Sequence, residues 1–219
     1  MKKAIIFDLD GTLLNTLEDL TDSTNYALRT CGFPERTLEE VRRFVGNGIR
    51  KLIERAVPVH TDAENISECF TVFCEHYKRN MENKTAEYTG ISDMLSTLYA
   101  AGYKMAIVTN KADFAAQELC GKLFGNYVKT VVGSVETRPN KPAPDGVYYA
   151  LEQMGVVKEE AVFIGDSEVD ILTAKNAEID AIGVLWGFRD LADLEAVGVK
   201  MTVKTVKELE KLLLNLKNC

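Results

Sequence analysis

Histidine is scarce in this chain of 219 residues: His60 and His76 are the only two, sixteen residues apart, and no C-x-x-C pair accompanies either. A zinc site would lack an obvious ligand set, so both read as surface or helix-packing residues. The five cysteines, Cys31, Cys69, Cys74, Cys120 and Cys219, are odd in number and contain no C-x-x-C pair. That argues against a disulfide framework, and they read as reduced, mostly structural thiols. Basic runs are absent, and 26 Lys and Arg against 33 Asp and Glu leave a net charge of −7. Nucleic acid and anionic membranes are therefore poor partners. Long apolar runs are missing too. The N-terminal one, Ala4 to Phe7, is shorter than the roughly 7 to 15 residues of a signal peptide's hydrophobic region, and nothing approaches a membrane span. The expectation is a cytoplasmic protein, monomer or homodimer. There is no internal repeat. What is present, 46% hydrophobic side chains, suffices for one substantial core and a small second one.

Five near-continuous apolar runs, Lys3 to Leu9, Lys104 to Thr109, Thr130 to Gly133, Ala161 to Ile164 and Ala181 to Leu185, read as strands covered on both faces. Helical patterns alternate with them, which predicts an α/β fold built on a doubly wound parallel sheet. Ile91, Leu95, Leu98 and Tyr99 mark a helix stopping at Gly102; Val147, Tyr148, Leu151 and Met154 mark one stopping at Gly155; Leu209 to Leu216 carries the last. About ninety residues separate the first strand from the second, far more than one crossover helix needs. That excess reads as helical: a helix with Thr16 as N-cap ending near Gly32, a capping box at Thr37-Leu38-Glu39-Glu40, a break at Gly46-Asn47-Gly48, a short helix up to Pro58, and a stripe from Ile66 to Met81. The expected organisation is a catalytic core of residues 1–15 and 86–219, with a helical cap at 16–85 inserted through two flexing linkers.

Ligands of open parallel sheets bind beyond the carboxyl ends of the strands. Those ends carry Asp8 and Asp10, then Thr109 and Asn110, then Asp166 with Asp170 one helical turn on, while Lys141 sits in a loop stiffened by Pro139, Pro142 and Pro144. Singly, Asp10-Gly11 is also an ordinary turn, Asp166-Ser167 a helix start and Lys141 a solvated charge; only their joint occurrence points to a site. Four carboxylates around one lysine repel one another unless they are protonated or bind a cation. Oxygen-only ligands favour Mg²⁺, which shares its coordination with a substrate phosphate. Asp8 and Asp10, at i and i+2 of an extended segment, can address one substrate: one attacks phosphorus, the other moves a proton. Gly11 would let backbone approach the phosphate, and Thr12 offers a hydroxyl to the local hydrogen-bond network.

Asp8-Leu9-Asp10-Gly11-Thr12, Val108-Thr109-Asn110-Lys111, Asn140-Lys141-Pro142-Ala143-Pro144-Asp145 and Gly165-Asp166-Ser167-Glu168-Val169-Asp170 resemble, in order, the four motifs of haloacid dehalogenase superfamily phosphatases. The resemblance covers essentially the whole chain. It implies Asp8 as nucleophile, Asp10 as general acid/base, and Mg²⁺ held by the Asp8 carboxylate, the Asp10 backbone carbonyl and the Asp166 carboxylate. Thr109 and Lys141 would bind the phosphoryl group, with Gly11, Thr12 and Asn110 also on the substrate and Asp170 in support, as a direct ligand or one step removed. Val45-Gly46-Asn47-Gly48 and Gly183-Val184-Leu185-Trp186-Gly187-Phe188-Arg189 look like the phosphoglycolate phosphatase branch. Gly46, Asn47 and Gly48 would then offer backbone N–H groups to a small anionic substrate, though such a turn also serves any helix break. Thr89-Gly90 departs from the family, where proline often precedes that glycine.

The expected activity is thus Mg²⁺-dependent hydrolysis of a small phosphorylated metabolite, 2-phosphoglycolate first. A sugar phosphomutase and other small-metabolite phosphatases share the core motifs. A true dehalogenase fits less well, having no need of metal or of Asp10. A phospho-receiver domain, which also gathers acids, Thr and Lys around Mg²⁺, has no seventy-residue helical insert.

Overall fold

A computed structural model describes residues 1–216; the reading of Cys219 as a thiol lies outside the described residues. The chain divides into two compact units, Met1–Leu14 with the chain from Glu87 on, and Asn15–Ala86.

The first unit is built on a six-stranded parallel sheet. Its members are β1 (Ala4–Phe7), β4 (Lys104–Ala112), β5 (Thr130–Ser134), β6 (Ala161–Gly165), β7 (Asp180–Val184) and β8 (Thr202–Val203), in the order β5-β4-β1-β6-β7-β8. β1 is central and entirely buried. Ala4 and Ile6 join one core cluster with Ala106, Val132, Phe163, with Val147, Ala150, Leu151 and Met154 of α7 (Asp145–Met154), and with Ala174 of α8 (Glu168–Asn176). Ile5 and Phe7, which point the other way, are equally inaccessible, so both faces are covered and the run could not alternate with polar residues. Each such large side chain contributes roughly 1.5–3 kcal/mol through burial. α5 (Ile91–Ala100) packs on α10 (Val206–Leu216), and α6 (Asp113–Phe124) lies against β4 and β5. A short α9 (Leu191–Glu195) starts at an Asp190 capping box.

The strand expectations hold to within a few residues, except that β4 runs past Thr109 to Ala112 and β8 has only two residues, too few to show a period. A register shift between Val108 and Ala112 interrupts the β4–β5 ladder. Such a bulge re-aims side chains, here Thr109, Asn110 and Lys111.

The second unit contains α1 (Leu17–Thr30), α2 (Leu38–Phe44), α3 (Ile49–Ala56) and α4 (Ala63–Asn80). α1 and α4 pack together. The Thr37 capping box forms as its sequence spells: the hydroxyl accepts from Glu40 N at 3.2 Å, and the Glu40 carboxylate from Thr37 N at 2.8 Å. Thr16 precedes α1 as expected, but its hydroxyl does not cap. The Asn15 side chain accepts from Leu17 N at 3.3 Å instead, and the Thr16 hydroxyl is buried without a partner. The Asp19 carboxylate accepts from the amides of Lys84 and Thr85 and fastens the returning chain to the first turn of α1. The connecting segments β2 (Leu14–Asn15) and β3 (Ala86–Glu87) form a separate two-stranded sheet that the sequence did not signal. Among the described residues no helix is long and apolar enough to cross a membrane.

Candidate active site

Register places the acids. Phe7 pairs with Ile107 of β4 and with Ile164 of β6, so Asp8, whose amide still donates to Ile164 O at 2.9 Å, lies where β1 and β6 end and β4 enters its bulge. Thr109 and Asp166 fall one residue beyond the same level. Asp8, Asp166 and Asp170 are buried, and one oxygen from each lies within 4.8 Å of the others.

Lys141 stands among them, its ammonium 2.8 Å from Asp8 Oδ1 and 2.7 Å from Asp170 Oδ1, over the Phe163 ring. Its contact with Asp8 is ionic and not aligned as a hydrogen bond, so that buried oxygen lacks a directed donor. Burial, then Asp170, push the Asp8 carboxyl up to about 7 even though Lys141 opposes the shift. Asp166 is likewise held well above the carboxylate range by burial and by Asp170 and Asp8. Burial works to lower the Lys141 pKa, but Asp170 and Asp8 override it and hold the ammonium charged.

Asp170 spends both oxygens: Oδ1 on Lys141, Oδ2 on the amide and hydroxyl of Ser167 at 3.0 and 2.6 Å. Asp166 Oδ1 accepts from the Thr12 hydroxyl at 3.1 Å and its Oδ2 from Phe188 N at 2.7 Å. Gly11 has φ +89°, and a Cβ there would lie 2.4 Å from Asp166 Oδ2. The position therefore excludes a side chain on two counts. Thr109 accepts from Lys111 N at 3.2 Å, which leaves its hydroxyl proton for another acceptor.

One sequence expectation needs correction. The acids face two lysines and not one: Lys111, buried at the bulge, pairs with Asp10 at 2.9 and 3.3 Å. Lys111 stands in the second motif, but nothing in a strand pattern says which way a bulged residue points. Asn110, expected on the substrate, directs its amide at the Lys141 backbone, donating to its carbonyl at 3.0 Å and accepting from its N–H at 2.8 Å. Gly46, Asn47 and Gly48 belong to the second unit, between α2 and α3. There Arg55 bonds Phe44 O at 2.6 Å and Asn47 Oδ1 at 2.7 Å.

The donor set is oxygen only, close-spaced and over-charged, with a buried carboxylate oxygen lacking a directed donor. It fits a hard divalent cation such as Mg²⁺. Asp8 and Asp166 have the most acceptor capacity left; Asp170 already takes three bonds, one from Lys141 and two from the Ser167 amide and hydroxyl.

A parallel sheet with acids, lysines and a threonine at the ends of its central strands defines a phosphoryl-transfer class of site. The comparison with known proteins narrows it: the chain belongs to the haloacid dehalogenase-like hydrolases, whose family model matches residues 5–184. A phosphoglycolate phosphatase from Colwellia psychrerythraea is 34% identical over 215 residues, 95% of each chain. A crystal structure proposed to be a phosphoglycolate phosphatase, from Lactobacillus delbrueckii subsp. bulgaricus, has a TM-score of 0.92 at 33% identity, covering 97% of this chain and 99% of that one. CbbY from Rhodobacter sphaeroides, solved with phosphate, has a TM-score of 0.74 at 25% identity over 95% of this chain and 96% of its own. By this kinship the chain is an enzyme, a phosphatase.

Proposed function

We propose that this phosphatase is a Mg²⁺-dependent phosphomonoesterase working through an aspartyl-phosphate on Asp8, with 2-phosphoglycolate as substrate. The observation that carries the reading is the convergence of Asp8, Asp166 and Asp170 oxygens within 4.8 Å of one another around the buried Lys141 ammonium.

An Asp8 oxygen attacks phosphorus, and the bond to the leaving oxygen breaks as Asp10 hands it a proton. Asp10 then takes a proton from the water that attacks the acyl phosphate, inorganic phosphate leaves, and Asp8 returns as carboxylate. Lys141 and the Thr109 hydroxyl hold the equatorial oxygens, where charge gathers. Lys111 holds the Asp10 carboxylate, Asn110 the Lys141 backbone, Asp170 the Lys141 ammonium. Asp8, Asp166 and the Asp10 main-chain carbonyl would hold Mg²⁺, which when bound supplies charge neutralisation and orientation of the phosphoryl group. The substrate assignment rests on the relatives' name and on Val45-Gly46-Asn47-Gly48, which supports recognition of a small anion.

Phosphate release from 2-phosphoglycolate and a panel of phosphorylated metabolites, with Mg²⁺ and with EDTA, tests both parts. The expected result is the highest kcat/KM for 2-phosphoglycolate, no release with EDTA and none by Asp8→Asn. A better substrate in the panel would replace 2-phosphoglycolate alone; an active Asp8→Asn would overturn the mechanism.

A further inference from the structure

The metal reading above leaves unexplained the segment after β7, where Trp186 to Arg189 tie together chain regions far apart in sequence. Trp186, the only tryptophan, donates from Nε1 to Thr12 O at 3.0 Å and meets the Tyr88 ring edge-on. Gly187 is packed so closely that a Cβ would stand 2.3 Å from Asp166 Cβ and 2.4 Å from Gly11 O. The Phe188 amide donates to Asp166 Oδ2 at 2.7 Å. Arg189, its side chain 6% exposed, donates from Nε to Glu168 Oε2 at 2.9 Å.

The backbone amide that donates to Asp166 thus sits on a segment fastened at each end, to Thr12 on one side and Glu168 on the other. Thr12 itself donates its hydroxyl to the other Asp166 oxygen. An ionised carboxylate has about four lone-pair sites. Thr12 and Phe188 occupy one on each oxygen, which fixes the rotation of the group and leaves the rest for a ligand. A burial role alone calls for neither a bond at each end of the segment nor a directed amide between them.

Resting on the proposed metal reading, we propose that Trp186–Arg189 is a brace that presents Asp166 to the cation, and that Trp186 and Arg189 are positioning residues for Mg²⁺ binding. Partners of metal ligands typically change affinity 10–100-fold when removed. Trp186 is one bond further out than the Phe188 amide, so the expectation is the lower end.

Calorimetric titration of the full chain with MgCl₂ alone tests it, comparing wild type, Trp186→Phe, which keeps a ring and loses the N–H, and Arg189→Gln. The proposal expects both variants to bind Mg²⁺ about tenfold more weakly, and lost turnover to return as Mg²⁺ is raised, with half-saturation shifted by the same factor. Wild-type affinity in a folded Trp186→Phe overturns it; should that variant not fold, wild-type affinity in Arg189→Gln does so. A wild type that takes up no Mg²⁺ overturns the metal reading and the brace with it, an outcome separate from variants that match a binding wild type.

Discussion

Replacing Asp8 should strengthen the protein. Asp8 is buried, faces Asp170, and has its carboxyl pushed from 3.8 to about 7, burial being the larger cause. A carboxyl with a raised folded-state pKa contributes stability that is complete below the unfolded value and lost as pH rises through the folded one. The Mg²⁺-free wild type therefore loses stability between about pH 4 and pH 7 on this account. A rise of roughly three pH units, at about 1.36 kcal/mol each, amounts to about 4 kcal/mol at pH 8. An asparagine in place of Asp8 has nothing to ionise and escapes the loss. With about 2 to 4 kcal/mol recovered and roughly 2–4 °C per kcal/mol for a chain of this size, Asp8→Asn should melt about 5–15 °C above wild type at pH 8 in EDTA. The gap should shrink as the pH falls toward 4, and Mg²⁺ should close it by stabilising wild type alone. Scanning calorimetry at several pH values, with EDTA and with Mg²⁺, measures all of this. An Asp8→Asn protein melting at or below wild type at pH 8 in EDTA would refute the electrostatic reasoning.

Gly11→Ala forces a side chain into φ +89° and against Asp166; strain of about 1–2 kcal/mol plus the overlap should cost more than about 2 kcal/mol in denaturant melts and weaken Mg²⁺ uptake in calorimetry. Lys111→Met leaves Asp10 without its 2.9 Å partner. Because Asp10 keeps some solvent contact, the loss should fall below the roughly 3–5 kcal/mol of a fully buried pair, while kcat drops more than KM rises in steady-state assays. Thr37→Ala removes a cap and should cost about 0.5–2 kcal/mol of stability with turnover on 2-phosphoglycolate unchanged.

The strands and the acids at their ends were legible because buried parallel strands need unbroken apolar runs, and those runs end where the polar side chains begin. Ala4–Phe7 followed by Asp8 shows both signals in five residues. The Thr37 box was legible because its two hydrogen bonds are local in sequence. What escaped depends on contacts between distant segments. Lys111 is aimed by a bulge, and Asn110 is claimed by a backbone 31 residues away. Trp186 finds its acceptor 174 residues away. At α1 the hydroxyl of Thr16 and the amide of Asn15 are both competent caps, and only the turn geometry chose Asn15. α6 was missed because, of the five residues that bury its inner face, Ala115, Ala116 and Cys120 are small and only Leu119 and Phe124 are large, which weakens the stripe.

A crystal structure with Mg²⁺ and beryllium fluoride, a mimic of an acyl phosphate, tests the central claim most directly. The account requires the beryllium on an Asp8 oxygen, within reach of Lys141 and Thr109, and Mg²⁺ on Asp8 and Asp166. Beryllium on Asp10 or Asp170, or Mg²⁺ settled away from these carboxylates, would contradict it.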